Sequence, residues 1–190
     1  MTFNIPNLLT WLRILLIPVF VGVFYFSNYT LSPYAKNVAA TLIFALAAVT
    51  DWLDGYLARA LGQTSAFGAF LDPVADKLMV AAALIVLVEL ARVDALIALI
   101  IIGREIAISA LREWMARIGE ARSVAVSLLG KVKTAAQMAA ILLLLYQDHL
   151  VLGVTGQGLG TVLIYLAAGL TLLSMAYYLK VALSRVVDRV

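Results

Sequence analysis

Cysteine is absent from the 190 residues, which excludes disulfides and thiolate metal sites. There is one histidine, His149, next to Asp148 in a short polar stretch. A single imidazole cannot build a zinc cluster, and a solvated loop residue is the plainer reading. No internal repeat and no low-complexity tract is visible. The phosphate-cradling glycine loops are missing as well. Gly130-Lys131 has Ala125 where a P-loop needs its upstream glycine. Gly156-Gln157-Gly158-Leu159-Gly160 fails the dinucleotide pattern and follows no strand. Charge is scarce, at 13% of residues.

What the chain has is apolar surface. It is 64% hydrophobic, with a mean hydropathy of +1.03, far above a soluble domain. A membrane-spanning helix needs roughly 20 mainly apolar residues. Six stretches qualify, at about 8–26, 34–57, 73–90, 95–114, 123–146 and 158–179. The first lies near the N-terminus but is too long for a signal peptide, and no small-x-small cleavage site follows it. The expectation is an all-α integral membrane protein: a six-transmembrane-helix bundle, with residues 1–190 forming a single membrane domain.

The basic residues orient this bundle. With both termini on the cytoplasmic side, only Lys36 and Arg92 of the 14 lysines and arginines lie near the outer face, and the other 12 lie inside. That split obeys the positive-inside rule. The net charge of +3 therefore points to anionic lipid headgroups and phosphorylated substrates, not to nucleic acid.

Against that background four carboxylates stand out. Asp51 and Asp54 are three residues apart, and Asp72 and Asp76 four apart, so on helices each pair shares a face. Both pairs border long apolar runs. Four acids at the ends of two membrane helices repel one another and resist ionisation unless cations sit between them. All-oxygen ligands suit Mg²⁺ or Mn²⁺. The expected site is a carboxylate pair of pairs holding two metal ions at the membrane surface. Gly55 and Ala58 open a groove beside the acids. Arg59, eight residues after Asp51, shares its face and offers a fork for phosphate oxygens. Acids, groove and arginine together describe a pyrophosphate site.

Other features are less committed. Asp72-Pro73 reads as a helix start, with Asp as cap and Pro in the first turn. Arg13, two turns into the first helix, either snorkels to the interface or faces the acids. Arg104 and Glu105 interrupt the apolar run 100–110, and Arg112 shares a face with Arg104. Glu113 and Arg117 form an ordinary i, i+4 pair. Acids inside membrane helices also mark ion pathways, so a divalent-cation transporter is a rival. The outer halves of the helices hold no matching polar residues, which counts against it.

The segment from Asp51 to Asp76 follows the pattern D-x-x-D-G-x-x-A-R, eight residues, G, three, D, three, D, at every specified position. In this it resembles the CDP-alcohol phosphatidyltransferase family, and the six-span plan fits that family. Pro6-Asn7-x-Leu9-Thr10-x-x-Arg13, Gly103-Arg104-Glu105 and Gly130-Lys131-x-Lys133-Thr134 are similar to the bacterial branch that uses glycerol 3-phosphate as acceptor. The resemblance implies that CDP-diacylglycerol and sn-glycerol 3-phosphate give phosphatidylglycerol phosphate and CMP. It implies that Asp51, Asp54, Asp72 and Asp76 are metal ligands and that Asp76 is also the general base. Gly55, Arg59, Ser65 and Asn7 match positions that hold the CDP moiety. A dianionic acceptor needs further cations, and Arg104, Arg112, Lys131 and Lys133 are the candidates. Inositol phosphate, serine and aminoalcohols are the alternative acceptors. A homodimer in the bacterial inner membrane, with the site facing the cytoplasm, completes the expectation.

Overall fold

The computed structural model describes residues 5–61, 66–119, 128–149 and 155–187. Among them the chain forms six α-helices: α1 (Ile5–Gly22), α2 (Pro33–Leu61), α3 (Ala66–Glu89), α4 (Ala95–Arg117), α5 (Leu128–Tyr146) and α6 (Gly156–Val187). A 3₁₀ turn, Val23–Tyr25, extends α1. Three helices are long and apolar enough to cross a membrane on their own: Asn7–Tyr25, Pro33–Asp54 and Gly156–Leu183. In α3 the charges of Asp72, Asp76 and Lys77, and in α4 those of Arg104, Glu105 and Arg112, break the apolar stretch. The chain is a multi-pass membrane protein built as an all-helical bundle.

Helix α1 packs on α2 and α3, α2 also meets α5, α4 touches α3 and α6, and α5 and α6 form the most extensive pair. The main core joins Phe20, Phe44, Leu84, Leu87, Ile101, Ile141, Leu144 and Ile164. A smaller cluster, Ile108, Met115, Tyr178 and Ala182, fastens α4 to α6. Leu15, Leu42, Ile85, Leu99 and Leu173 are exposed, as side chains facing lipid are. Small residues let α5 and α6 approach. A Cβ on Gly160 would sit 2.7 Å from Leu144 Cγ and 3.2 Å from the Ala140 carbonyl oxygen.

The third helix differs from its sequence reading. It begins at Ala66, so Asp72 is not its cap and Pro73 lies inside it. The run Ala66-Phe-Gly-Ala-Phe-Leu71 carries no breaker apart from Gly68. Pro73 removes the one N–H that would bond the Ala69 carbonyl. Packing against α1 overrides the proline's preference for a helix start. The consequence is that Asp72 and Asp76 project from mid-helix, with helical geometry fixed on both sides.

Arg92 and Lys36, the two basic residues that the sequence assigns to the outer face, both have structural partners. Arg92 Nη1 donates to the Leu144 and Leu145 carbonyls at 3.0 and 2.9 Å, and Nη2 to Asn37 Oδ1 at 2.8 Å. It thereby caps the C-terminus of α5, whose last carbonyls have no intrahelical donor. Lys36 Nζ donates to the Phe26 carbonyl at 2.5 Å and to Asn28 Oδ1 at 2.9 Å, tying down the chain between α1 and α2. Lys36 and Asp54 lie 18 residues apart on α2, so about 27 Å of helix separates this end from the acids.

Candidate functional site

Three helices bring the carboxylates together. Asp51 and Asp54 lie in the last third of α2, and Asp72 and Asp76 in the first half of α3. Arg13 of α1 stands between the first two. Its Nη1 lies 2.8 Å from Asp51 Oδ1, and its Nη2 donates to Asp54 Oδ2. Arg13 is 1% exposed, which settles the alternatives left by the sequence: it faces the acids and does not snorkel. Asp54 is 3% exposed, whereas the Asp51 side chain is 46% exposed and opens to the surroundings. One turn before Arg13, the Thr10 hydroxyl donates to Asp72 Oδ1. Helix α1 therefore reads both acid-bearing helices through two side chains on one face, at i and i+3.

The acids act on one another across the helices. The charges of Asp51 and Asp72 reach Asp54, and those of Asp51 and Glu105 reach Asp76. Among the described residues Arg13 is the one ion-pair partner of the four aspartates. No three acid or histidine side chains among those residues are arranged around a common metal position.

A cavity of about 410 Å³ opens beside the acids. Its polar lining comes from Asp51 and Asp76 on α2 and α3 and from Glu105, Thr134 and Gln137 on α4 and α5, with apolar lining from Val80, Ile102 and Met138. Behind Glu105 lies a cationic cluster. Glu105 Oε1 accepts from Arg104 Nη1 at 3.0 Å and from Lys133 Nζ. Arg104 Nη2 also donates to Ser174 Oγ on α6 at 3.0 Å. Arg112 lies over the Tyr178 ring, 5.3 Å from its centroid. The charges of Arg104 and Arg112 both reach Lys133, itself 2% exposed. Neither Arg104 nor Lys133 is among the residues lining the cavity, but both pair with Glu105, which is.

The remaining sequence candidates are described less fully. Asn7 is half-buried in the first turn of α1. Gly55 and Arg59 continue α2 one and five residues past Asp54, on the helix but without described side chains. Lys131 sits in the first turn of α5, likewise without a described side chain, and Ser65 lies outside the described residues. Glu113 and Arg117 form their expected exposed pair at 2.7 Å, and His149 is exposed in its loop. Sequence reasoning missed the Thr10 link to Asp72, the bridging role of Glu105 and the presence of Gln137 in the cavity wall. For Gln137 a signal existed: it is the one polar residue in the run 135–145.

Residues 3–177 match the family described as CDP-alcohol phosphatidyltransferase. The chain is 51% identical over 191 residues to proteins of Shigella flexneri serotype 5b (strain 8401) and Escherichia coli (strain K12), covering 100% of both chains in each case. Both relatives carry the name CDP-diacylglycerol–glycerol-3-phosphate 3-phosphatidyltransferase.

Proposed function

The chain belongs to the CDP-alcohol phosphatidyltransferase family, and from that premise we propose that it transfers the phosphatidyl group of CDP-diacylglycerol to sn-glycerol 3-phosphate. The products are phosphatidylglycerol phosphate and CMP. Full-length identity to two transferases of that name supports the reaction. The structural observation that carries it is the cavity lined by Asp51 and Asp76, with a buried cationic cluster paired to Glu105 of the same lining.

Asp51, Asp54, Asp72 and Asp76 would hold two divalent cations, Mg²⁺ or Mn²⁺. The donor set fits: all ligands are hard oxygens, and four carboxylates outnumber the single guanidinium paired with them among the described residues. When bound, the ions would neutralise the diphosphate and stabilise the attacking and leaving oxygens of an in-line displacement. Gly55, Arg59, Ser65 and Asn7 are assigned to the CDP moiety on the family pattern. Asp76 takes the proton from the C1 hydroxyl of the acceptor. That oxygen bonds to the β-phosphorus, the bond from this phosphorus to the bridging oxygen breaks, and CMP departs with it. Asp76 contributes chiefly through placement beside the reacting oxygen.

Arg104, Arg112, Lys131 and Lys133 are assigned to the acceptor phosphate. Charge supports the assignment. Among the described residues Arg104, Arg112 and Lys133 supply three positive charges, and Glu105 is the one acid paired among them, leaving an excess of two. A phosphate monoester dianion matches that excess, whereas serine or an aminoalcohol does not. The positive-inside bias supports a bacterial inner-membrane protein with this site on the cytoplasmic side. The family resemblance supports a homodimer.

The test is CMP release from labelled CDP-diacylglycerol in detergent, with glycerol 3-phosphate, inositol phosphate, serine and aminoalcohols as acceptors. Glycerol 3-phosphate should be the productive one. Excess EDTA should abolish turnover, and Mg²⁺ or Mn²⁺ should restore it. Asp76→Asn should bind CDP-diacylglycerol within about tenfold of the parent while turnover falls by about 10²–10⁴-fold. Faster transfer to another acceptor, or full activity in EDTA, refutes this reading.

A further inference from the structure

We propose that Gln137 determines acceptor specificity by hydrogen-bonding the C2 hydroxyl of the three-carbon phosphate. The inference rests on the reaction proposed above and adds a residue that neither the family pattern nor the charge argument supplies.

Gln137 is 3% exposed, and its Oε1 is buried without a hydrogen-bond partner among the described residues. An amide in that condition is costly inside a membrane bundle, and buried polar groups are normally satisfied. Gln137 nevertheless lines the cavity that Asp51 and Asp76 also line. Its neighbours on α5, from Ala135 to Leu145, are all apolar, so packing alone would favour a Leu or Met there. An unsatisfied amide oxygen on a residue of the cavity lining is a group kept for something that enters the cavity.

Its position suggests what. Gln137 lies four residues after Lys133, on the same buried face of α5 and one turn further into the bundle. Lys133, with Arg104, marks the cationic end, and Asp76 marks the end where the attacking hydroxyl loses its proton. The acceptor carries three polar groups in sequence: a phosphate, a C2 hydroxyl and a C1 hydroxyl. With the phosphate drawn towards the cations behind Glu105 and the C1 oxygen at Asp76, the order of groups in the acceptor puts the middle hydroxyl between them, where the amide oxygen of Gln137 in the cavity lining accepts its hydrogen bond. A site built to bond a hydroxyl rejects an analogue that lacks it, because its own polar group is then left unpaired.

The experiment compares sn-glycerol 3-phosphate with 3-hydroxypropyl phosphate, which lacks only the C2 hydroxyl. The wild-type enzyme should prefer the former in kcat/KM by about 10–100-fold. Gln137→Met keeps the volume and removes the amide. It should shrink the preference to within about threefold, while the KM for CDP-diacylglycerol stays within about twofold of wild type. A merely structural role for Gln137 would lower both acceptors together and leave the ratio unchanged, which would overturn the proposal. Gln137→Leu provides the same comparison if the Met variant does not accumulate. A wild-type enzyme that uses both acceptors equally well overturns it whichever variant folds. Failure of the wild type to use glycerol 3-phosphate at all would instead refute the proposed reaction.

Discussion

Arg13 offers the sharpest test of how the acid-bearing helices are held. Its guanidinium is buried between Asp51 and Asp54, and replacing it by Gln leaves two carboxylates without their ion-pair partner. The two contacts are not equal. The Asp51 side chain is 46% exposed, so that pair is largely screened and contributes about 0–1 kcal/mol. Asp54 is buried, and stripping a buried charge of its partner costs about 3–5 kcal/mol. The second value decides the outcome. For a chain of this size each kcal/mol moves Tm by about 2–4 °C, so Arg13→Gln should lower Tm by about 6–20 °C. Trp11 and Trp52 flank the site in sequence and report its unfolding by fluorescence in detergent. Asp54→Asn alone strands the guanidinium and should also destabilise. The double variant Arg13→Gln/Asp54→Asn removes both charges and should recover most of the loss, giving a coupling of several kcal/mol. A single variant within about 2 °C of the parent, or a double variant that loses the sum of the two singles, would refute the clamp.

Other outcomes separate function from scaffold. Arg104→Gln should raise the KM for glycerol 3-phosphate by about 10–100-fold, with little change for CDP-diacylglycerol, because a charge-assisted phosphate contact is worth about 1.5–3 kcal/mol. Arg92→Gln uncaps α5 at the opposite end and should lower Tm while leaving both KM values in place. Gly160→Ala drives a methyl into Leu144 and should cost about 1–3 kcal/mol in a melt, whereas Gly169→Ala meets nothing within 4 Å and should be neutral or slightly stabilising. For topology, a cysteine replacing exposed His149 should react with an impermeant thiol reagent in intact spheroplasts. One replacing Ala116 should react only after the cytoplasmic face is opened, and the reverse pattern would invert the bundle.

The parts of this protein that were legible in its sequence are those that a membrane makes expensive. Apolar length announced the helices, and charge in the wrong place announced the acid site, because lipid tolerates neither unpaired backbone nor unpaired carboxylates. Where the chain's own chemistry admitted two answers, tertiary packing chose. Asp72-Pro73 has the local features of a helix start, yet the helix runs back to Ala66 because α3 is held against α1. Arg13 could have reached the headgroups, yet its side chain is drawn inward by Asp54, 41 residues away. Neither result follows from neighbours in sequence. Glu105 and Gln137 show the same limit at the cavity. Glu105 reads as a charge adjacent to Arg104, and only the approach of α5 to α4 makes it the shared acceptor for Lys133. Gln137 reads as one amide in an apolar run, and only the cavity gives that amide a direction. Spacing within a helix thus identifies which residues are paired with one another. Which of those pairs meet across the bundle, and what the space between them admits, is decided by helix packing.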